Sequence, residues 1–423
     1  MNRDDLRAMI RKPGAALLDG WSDAGRWTIA LPEPREGFRA ARGEEAQVDR
    51  FLRGFRGDES RHLSGRDDLP FSGGWVGFLA YELGAGWEGA RPRSESVPEP
   101  VALFFRHDSG WAIDPGGAVA AIGEPGEASS PPQDERSAPS REAPELSGLA
   151  ESLSLAAYDA AHAAIRAGIA RGDFYQVNLT NRYSAAVRAR LDPRDLYRRL
   201  AGDPPPPYSL LLRDREFDVV GASPELFLRA DFGTRRVEMR PIKGTAPRSA
   251  DPGRDAELAL GLLGSAKDRA ENVMIVDLCR NDLGRVCETG SVDVTELCGL
   301  RSHRVHHLES TVAGILREGV SAADLLRATF PPGSVTGAPK RAAVQAIREL
   351  EPAARGIYTG AAGYFDDRGR MAFNVAIRTA VSTDREIRYH AGGGITWDSV
   401  AALEREEAGW KARDFLALFP GPP

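Results

Sequence analysis

Apolar residues recur along most of this chain at the intervals expected for helices or for strands. Residues 155–173 place small and apolar side chains three and four positions apart, which predicts a helix that ends at Gly172. Residues 174–187 alternate like a half-buried strand. Helical spacing returns over 255–286, where Gly264 divides the segment into two helices. The same patterns predict further helices over 338–352 and 399–419, and strands over 217–230, 235–242, 355–366, 371–381 and 386–396.

A segment with very few large apolar residues precedes this C-terminal part. Residues 123–148 are rich in Pro, Ser, Glu and Gly, and we expect them to form a mobile linker or a long surface loop. The predicted organisation is therefore an N-terminal lobe over 1–122, which contributes strands to a shared core, then this linker, and a catalytic domain over 149–423. Strand-like stretches in the N-terminal lobe fall at 26–34, 73–83 and 101–115. The whole pattern indicates a mixed α+β fold with mostly hairpin-like strand connections.

Composition narrows the possible classes of function. The chain has 423 residues, of which 42% are hydrophobic, so it can bury a large core. Its 61 acidic and 55 basic residues give a formal net charge of −6, whereas surfaces that bind nucleic acids usually carry a basic excess. No apolar run is long enough to cross a bilayer, and the first residues lack the apolar core of a secretory signal. Three cysteines without metal-ligand spacing complete the expectation of a soluble protein of the reducing cytoplasm.

Three glutamates and two lysines are candidates for catalytic or ligand-binding roles. Lys243 lies between an apolar segment and a Gly-Thr turn, where a ligand contact and an ordinary solvated lysine are both open. Glu271 falls between the polar start and the apolar run of its helix, which places it at the buried edge. Glu404 and Glu407 share one helical face, with Lys411 one turn further on. A solvated acidic face explains this spacing, and so do two helices that direct carboxylates at Mg²⁺, a cation that prefers oxygen ligands.

Two glycine-containing segments resemble nucleotide-binding motifs only superficially. The segment GSVTGAPK, at 333–340, lacks the Gly-Lys-Ser/Thr ending of a phosphate loop at the required spacing. The glycine cluster at 391–398 has no acidic residue after a strand at the offset of a dinucleotide site. Neither segment supports nucleotide binding.

Seven motifs in the second part of the chain resemble those of the chorismate-utilising enzymes. In chain order they read SPELFL, RPIKGTAPR, KDRAENVMIVDLCRNDLGRV, GSVTGAPKRAAV, RGIYTGAAGYF, NVAIRTA and AGGGIT, and the resemblance covers 150–423. This family comprises anthranilate synthase component I, aminodeoxychorismate synthase component I, and the isochorismate and salicylate synthases. The resemblance implies a large two-lobed antiparallel β-sandwich surrounded by helices, with chorismate as the substrate.

The resemblance also implies a metal ion and its ligands. Glu271 and Glu407 would bind Mg²⁺ directly, and Glu404 and Asp268 would reach it through water. The ion would hold the ring carboxylate of chorismate, since Mg²⁺ commonly completes its shell with substrate oxygens.

The same resemblance assigns the residues that would hold the substrate. Tyr358 and Arg378 match the residues that bind the enolpyruvyl carboxylate, and the planar fork of an arginine pairs with two carboxylate oxygens. Gly392, Gly393 and Gly394 would offer backbone N–H groups beside the ring. Lys411 would lie near the ring carboxylate, and His307 matches a family histidine beside the ring.

Lys243 distinguishes between members of the family. Anthranilate synthases have alanine where this chain has Lys243, whereas the lysine resembles the signature of aminodeoxychorismate synthase. In the implied reaction the lysine attacks C2 of the ring while the C4 hydroxyl leaves, and ammonia then adds at C4 and expels the lysine. Glu225 would protonate the departing hydroxyl, and Thr245 would orient the substrate. A lysine pKa near 10.4 would have to fall to about 7, which requires roughly 4–5 kcal/mol of differential stabilisation.

Gln176 favours an amine rather than a hydroxyl product. Isochorismate and salicylate synthases have a lysine base at the matching position, and a glutamine cannot deprotonate water. No cysteine stands in a Gly-x-Cys-x-Gly context, so ammonia is expected from a separate glutamine amidotransferase subunit or from solution. The resemblance thus implies an Mg²⁺-dependent aminodeoxychorismate synthase component I, which would make 4-amino-4-deoxychorismate for p-aminobenzoate and folate synthesis or for a specialised pathway. Anthranilate synthase component I and a non-catalytic subunit that binds chorismate or tryptophan are the alternatives.

A motif in the N-terminal lobe bears on whether tryptophan inhibits the protein. Relatives bind tryptophan at a region that corresponds to 17–27, but the usual Leu-Leu-Glu-Ser motif reads Leu-Leu-Asp-Gly in this chain. We therefore expect weak or absent inhibition by tryptophan.

Overall fold

Antiparallel strands make up most of the framework. The computed structural model of the protein describes residues 2–23, 26–56, 68–91, 95, 97–123 and 146–419. Within these ranges the chain forms twenty-one strands and ten α-helices. The strands are β1 Ala16–Asp19, β2 Thr28–Leu31, β3 Glu36–Ala40, β4 Gly74–Leu79, β5 Ala102–His107, β6 Gly110–Ile113, β7 Val119–Ile122, β8 Leu146–Glu151, β9 Gln176–Val187, β10 Ser209–Arg213, β11 Asp218–Ala222, β12 Leu226–Asp231, β13 Arg236–Arg240, β14 Ile242–Pro247, β15 Asp293–Ser302, β16 Val305–Ile315, β17 Gly337–Ala338, β18 Ala361–Asp366, β19 Arg370–Val375, β20 Thr379–Ser382 and β21 Glu386–Ile395. The helices are α1 Arg3–Ala8, α2 Glu45–Arg53, α3 Tyr81–Trp87, α4 Leu155–Arg171, α5 Pro193–Ala201, α6 Pro252–Gly264, α7 Ala266–Gly284, α8 Ala322–Thr329, α9 Lys340–Leu350 and α10 Ala401–Leu416.

These strands form one sheet of eleven strands and one of ten. The first follows the order β17-β9-β21-β20-β11-β10-β1-β2-β6-β7, with β8 paired to β9. The second follows the order β14-β16-β13-β12-β19-β18-β4-β5-β3, with β15 paired to β16. The neighbouring strands run antiparallel in both sheets. The predicted α+β class with two large antiparallel sheets is therefore confirmed.

Both sheets combine strands from the first 122 residues with strands from residues beyond 145. In the larger sheet β1 pairs with β10, and in the smaller sheet β4 pairs with β18. Buried side chains of these strands, among them Leu18, Leu210, Val76 and Tyr364, belong to one apolar cluster. Because the cluster draws on both sheets, its burial holds the sheets together.

Helices cover the remaining apolar faces, and two of them matter for the site. α7 begins at Ser265, whose hydroxyl accepts a hydrogen bond from the Asp268 backbone amide, and it packs on β16. α10 packs on β21 through buried residues that include Ala412 and Phe415. The predicted break at Gly264 separates α6 from α7, and α4 ends at the left-handed Gly172, as the sequence predicts.

Five predicted strands differ from those in the structure. The strand expected over 101–115 is two strands, β5 and β6, and the strand expected over 217–230 is broken between β11 and β12, where Glu225 lies. The strand expected over 355–366 begins only at Ala361, so Tyr358 lies in the turn that precedes it. The strand expected over 371–381 is broken between β19 and β20, where Arg378 adopts a left-handed φ of 50°. The strand expected over 73–83 ends at Leu79, and α3 follows. The apolar pattern of the segments 355–366 and 371–381 hides the break, because residues 355–360 are buried and residues 376–378 are buried or half-buried.

The position of Lys243 is a further correction. The sequence suggests that a strand ends there in a Gly-Thr turn, but Lys243, Gly244 and Thr245 all belong to β14. The pairing with β16 shifts register between Lys243 and Thr245, and Gly244 has a φ of +76°. A bulge of this kind redirects side chains without ending the strand.

The predicted linker and the predicted division into domains have no test in the fold. Residues 124–145 of the predicted linker lie outside the described part of the chain, and the division into domains stays a prediction. Among the described helices, none has the length and apolar character that crossing a membrane requires.

Candidate active site

A cavity of about 630 Å³ lies beside α7 and α10, between β14 of the smaller sheet and β21 of the larger sheet. Thirteen of the fifteen predicted site residues line it: Glu225, Lys243, Thr245, Asp268, Glu271, His307, Tyr358, Arg378, Gly392, Gly394, Glu404, Glu407 and Lys411. The other two, Gly393 and Gln176, adjoin Gly394 in the chain and in space, respectively. The fold thus gathers in one place residues that the sequence distributes over β9, β14, β16, β21, α7, α10 and the connecting turns.

Lys243 is directed into this cavity by the bulge in β14. A Cβ atom placed on Gly394 would lie 3.3 Å from Lys243 Nζ, so the amine sits against the glycine strand β21. Burial lowers the pKa of Lys243, and the charge of Lys411 lowers it further, while the carboxylates of Glu271 and Glu225 act in the opposite direction. The amine therefore loses its proton more readily than a solvated lysine does.

The three consecutive glycines of β21 leave room for the groups around them. At Gly392 a Cβ atom would lie 2.1 Å from the backbone oxygen of Leu179 in β9. At Gly393 it would lie 3.0 Å from Glu404 Oε2 and 3.9 Å from Lys411 Nζ. Lys411 Nζ itself donates a hydrogen bond of 2.9 Å to the Gly392 carbonyl oxygen. The strand can lie this close to the charged groups only because it carries no side chains here.

Gln176 lies behind the glycine strand. It is the first residue of β9 and is completely buried, and a Cβ atom at Gly394 would lie 2.5 Å from its Nε2 atom. The amide of Gln176 and the amine of Lys243 therefore both reach the space beside Gly394.

Glu225 supplies a buried carboxyl group on another side of the cavity. It lies in the short link between β11 and β12 and is 3% exposed. Its Oε1 atom accepts hydrogen bonds from Ser334 Oγ at 2.6 Å and from the Ile242 backbone amide at 3.4 Å. Burial raises the pKa of Glu225 to about 7, against the opposing effects of the Ser334 hydrogen bond and the charge of Lys243. At neutral pH a group with this pKa can both give and take a proton.

Acidic side chains of α7 and α10 face one another across the cavity. Burial raises the pKa of Glu271, and the nearby charges of Asp268 and Glu404 raise it further. Burial also opposes the ionisation of Glu407, but its ion pair with Lys411 at 2.8 Å lowers the pKa below its ordinary value. Glu404 is 5% exposed. The placement of Glu271 at a buried edge of its helix agrees with the sequence pattern.

The chemistry of these donors fits the predicted Mg²⁺ ion. Carboxylate oxygens are its preferred protein ligands, and the mutual repulsion among Glu271, Asp268 and Glu404 is what a divalent cation would relieve. In the described part of the chain, no three His, Cys, Asp or Glu side chains are close enough together to hold an ion by themselves. Mg²⁺ commonly binds proteins through one or two carboxylates and completes its shell with water and substrate oxygens.

Tyr358 and Arg378 occupy the turns that interrupt the predicted strands. Tyr358 is buried, and its ring stacks on the His390 ring with 5.0 Å between the centroids. Burial raises the pKa of Tyr358, so its hydroxyl stays protonated. Arg378 lines the same cavity, and the Ala222 backbone amide donates to the Arg378 carbonyl oxygen, which fixes the left-handed backbone at that position.

His307 and Thr245 face each other on paired strands. His307 belongs to β16 and is directly opposite Thr245 of β14. Burial lowers the pKa of His307 to about 3, and the neighbouring His303 and Arg378 lower it further. His307 is therefore uncharged at neutral pH, whereas Thr245 is exposed at the edge of the cavity.

Several residues of the site carry no signal that sequence reasoning used. Ser334 lies in the GSVTGAPKRAAV motif, but the family resemblance assigned this serine no role, and its hydroxyl donates a hydrogen bond to Glu225 Oε1. Asn178 and His390 line the cavity from β9 and β21. The alternation of β9 places Asn178 on the same face as Gln176, and this was the signal that could have found it.

Comparison with known proteins places these residues in a family. Residues 21–417 match the family described as chorismate binding enzyme. Anthranilate synthase component 1 of Pseudomonas putida is 47% identical over 251 residues, which are 59% of this chain and 50% of that protein. Aminodeoxychorismate synthase component 1 of Klebsiella aerogenes is 39% identical over 357 residues, which are 80% of this chain and 75% of that protein. The crystal structure of anthranilate synthase component I from Streptococcus pneumoniae TIGR4 has a TM-score of 0.76 and 30% sequence identity, and covers 93% of this chain and 92% of that chain.

Two kinds of relative therefore share this fold and much of this sequence. The chain spans about half the length of the anthranilate synthase components of P. putida and Aquifex aeolicus, 50% in each case. Relatives named for two different reactions are similar to it, so similarity alone leaves the reaction open between them. The family match extends over nearly all of the 423 residues and includes every site residue named above. The chain belongs to the chorismate binding enzyme family.

Proposed function

We propose that the protein is an aminodeoxychorismate synthase component I, which converts chorismate and ammonia to 4-amino-4-deoxychorismate and water. The observation that carries this proposal is the amine of Lys243, which lies in the cavity beside the glycines of β21. In the resemblance described above, anthranilate synthases have alanine at this position. An alanine offers no nucleophile, so a lysine held here favours the reaction that uses one.

The first half of the proposed reaction needs an uncharged amine and a proton donor. Burial moves the pKa of Lys243 in the direction that frees its lone pair. Lys243 Nζ forms a bond to C2 of the ring, both conjugated double bonds of the ring shift by one position, and the C4–O bond breaks. Glu225, protonated over much of the range below pH 7, gives its proton to the departing oxygen and so releases water.

The second half uses the same two residues in reverse. Ammonia forms a bond to C4, both ring double bonds shift back, and the C2–N bond to Lys243 breaks, which restores the free amine. The new C4 ammonium group gives a proton to the carboxylate of Glu225, which returns to its starting state. Neither residue is consumed, and the substrate keeps its enolpyruvyl group.

The remaining residues hold the substrate in position. Arg378 and Tyr358 would bind the enolpyruvyl carboxylate through the guanidinium fork and the protonated hydroxyl. Lys411 would lie near the ring carboxylate. Mg²⁺, held by the carboxylates of α7 and α10 named above, would supply positive charge to that ring carboxylate. His307 would present an uncharged ring to the substrate, and Thr245 would orient it from the edge.

Ammonia would come from a partner subunit. The three cysteines, Cys279, Cys287 and Cys298, are all buried and reduced in the structure, and none stands in the context of a glutaminase nucleophile. We therefore assign the hydrolysis of glutamine to a separate amidotransferase, with free ammonia at high concentration as the substitute. The product would serve p-aminobenzoate and folate synthesis.

Anthranilate synthase component I is the second candidate. It is favoured by the identity of 41–47% to proteins of that name, against 36–39% for the aminodeoxychorismate synthases. The two reactions differ in their products, because anthranilate forms with release of pyruvate and is fluorescent.

The test is the product formed from chorismate, ammonium chloride and MgCl₂ by the purified protein. Chromatography with mass spectrometry is expected to show 4-amino-4-deoxychorismate, and intact-protein mass spectrometry without ammonia is expected to show a chorismate adduct. Lys243→Ala is expected to lose both, with turnover reduced by about a thousandfold or more, as for removal of a nucleophile. Lys267→Ala removes a lysine that is half exposed at the edge of the same cavity and is expected to stay within about threefold of the wild type.

Anthranilate as the main product would contradict the proposal. Turnover to 4-amino-4-deoxychorismate that survives in Lys243→Ala would also contradict it, since the amine would then have no role. No turnover with chorismate under any of these conditions would favour a non-catalytic subunit.

A further inference from the structure

Tyr358 is carried into the cavity by a turn and not by a strand. Two backbone hydrogen bonds hold this turn: the Tyr358 amide donates to the Arg355 carbonyl oxygen, and the Thr359 amide donates to the Ala376 carbonyl oxygen. These bonds fix the backbone, but they do not fix the side-chain torsions of Tyr358. The direction of its hydroxyl group therefore depends on the groups that pack against its ring.

His390 packs against this ring. The planes of the two rings are 11° apart and their centroids are separated by 5.0 Å, and both residues line the cavity. Stacked aromatic pairs contribute about 0.5–1.5 kcal/mol beyond the burial of their area, so His390 favours one orientation of the tyrosine ring. The guanidinium carbon of Arg355 lies 5.9 Å from the centroid of the same ring. His390 is thus the closer of these two neighbours.

The His390 ring is itself held in place. It is 7% exposed, and it forms a hydrogen bond with the backbone of Ala354, which lies in the same turn as Tyr358. Its Nε2 atom has no hydrogen-bond partner within the part of the chain that the structure describes. Burial lowers the pKa of His390 well below its ordinary value, and the charges of Arg388 and Arg182 lower it further, so the ring is uncharged at neutral pH. It therefore acts on the tyrosine by contact and not by charge.

The strand β21 connects this support to the rest of the site. His390, Gly392 and Gly394 alternate along the strand and share one of its faces. Gly394 lies beside Lys243, and β21 pairs with β9 over its whole length, which fixes the strand in the sheet. The strand that forms the wall beside Lys243 thus also carries the residue that packs on Tyr358.

We propose that His390 is a positioning residue, which holds the Tyr358 hydroxyl in the direction required to bind the enolpyruvyl carboxylate of chorismate. This inference rests on the proposed function, in which Tyr358 and Arg378 bind that carboxylate, and it adds a residue that acts through the tyrosine. The enolpyruvyl group takes no part in the bond changes of the proposed amination. Weaker binding of this group should therefore affect the ground state and the transition state alike, which raises KM and leaves kcat nearly unchanged.

The experiment measures kcat and the KM for chorismate at saturating ammonium chloride and fixed pH. His390→Ala is expected to raise the KM for chorismate at least tenfold, as for loss of a hydrogen bond to a charged group, with kcat within about threefold of the wild type. His390→Phe keeps a ring that can stack on Tyr358, and its KM is expected to stay within about threefold of the wild type. If His390→Ala does not fold, His390→Leu, which fills more of the space without an aromatic ring, takes its place with the same expectation.

Two further variants test whether His390 acts through Tyr358. In Tyr358→Phe the ring has no hydroxyl group to direct, so the addition of His390→Ala is expected to change the KM for chorismate by less than about threefold. His107→Ala is the matched control, because His107 of β5 is also buried, at 0% exposure, and its Nδ1 atom lies 3.2 Å from the Glu33 backbone oxygen, but it does not line the cavity. Its KM for chorismate is expected to equal that of the wild type.

The outcomes separate this inference from the proposed function. A KM for chorismate that is unchanged in His390→Ala, or that rises as much in His390→Phe as in His390→Ala, overturns the positioning role while the proposed amination still stands. A rise of more than about threefold when His390→Ala is added to Tyr358→Phe also overturns it, since the histidine would then act without the hydroxyl. If the wild type makes anthranilate, the proposed function fails, and the same comparison of KM values still decides the role of His390.

Discussion

Replacement of Glu225 with glutamine tests whether this buried carboxyl group is a proton donor near neutral pH. Glutamine has the same shape, and its Oε1 atom can accept the same hydrogen bonds from Ser334 Oγ and the Ile242 amide. Only the charge and the exchangeable proton are lost. The substitution should therefore stop the departure of the C4 hydroxyl while it leaves the cavity intact.

The effect on stability follows from the two pKa values. In the unfolded chain Glu225 titrates near its ordinary value of 4.5, and in the folded protein burial raises its pKa to about 7. Between these values the folded state keeps a proton that the unfolded state has lost, so the free energy of unfolding falls as the pH rises. With 1.36 kcal/mol for each pKa unit, Glu225 removes about 3 kcal/mol of stability between pH 4.5 and 7, and the loss levels off above the folded pKa.

The assay is urea unfolding of the wild type and Glu225→Gln at several pH values between about 4.5 and 8.5. The difference in the free energy of unfolding should move in favour of the variant by about 3 kcal/mol across this range. Glu257→Gln, at an exposed position of α6, is the matched control for the same change of side chain. A difference for Glu225→Gln that stays constant with pH would refute the reasoning, because it would mean that the carboxyl group titrates alike in both states. Turnover of chorismate by the wild type should in turn fall as the pH is raised above about 7, where the donor is lost.

Three other changes have expected outcomes. Tryptophan should inhibit turnover weakly or not at all, since the Leu-Leu-Glu-Ser motif reads Leu-Leu-Asp-Gly at residues 17–20; a clear drop in turnover at micromolar tryptophan would contradict this. Gly394→Ala should lower turnover at least tenfold, because its Cβ atom would displace the Gln176 amide and the Lys243 amine beside it. Gly86→Ala, with open space at the Cβ position, should have no such effect. Lys340→Ala should lower the free energy of unfolding by about 3 kcal/mol in urea titrations, because it leaves the buried Asp282 paired only with the half-exposed Arg285. A loss below about 1 kcal/mol would contradict this.

The sequence predicts most of the framework because the segments with strong periodicity fold as their patterns indicate. The helices α4, α6, α7, α9 and α10 each match a predicted helix, and the break at Gly264 is correct. The errors lie in buried turns. Tyr358 and Arg378 belong to continuous apolar segments, and an apolar pattern cannot show where a buried strand stops. Hydrogen bonds from the rest of the fold decide that point, as the bond from the Ala222 amide to Arg378 illustrates.

The candidate site was predictable only through family motifs. Spacing alone could not separate a solvated acidic face from a metal site, and α10 shows why. Its Glu404 is buried while Glu407 is 48% exposed and paired with Lys411, so the acidic face of this helix is neither wholly solvated nor wholly buried. The pKa shifts of Glu225 and Lys243 come from burial, and burial depends on elements far away in the chain, which no local pattern contains.

The wall behind the site shows a different limit of sequence reasoning. Arg355 is buried and donates to both carboxylate oxygens of Glu351, to the backbone oxygens of Asn178 and Val335, and to the Thr359 hydroxyl. This one side chain therefore ties together β9, the turn after α8 and the turn that carries the predicted substrate-binding tyrosine. Its role does not show in the spacing of motifs, because two of its partners are carbonyl oxygens, which every residue possesses. Only the folded arrangement of the backbone makes an arginine necessary at this position, since a buried charge is tolerated only where all of its donors find acceptors.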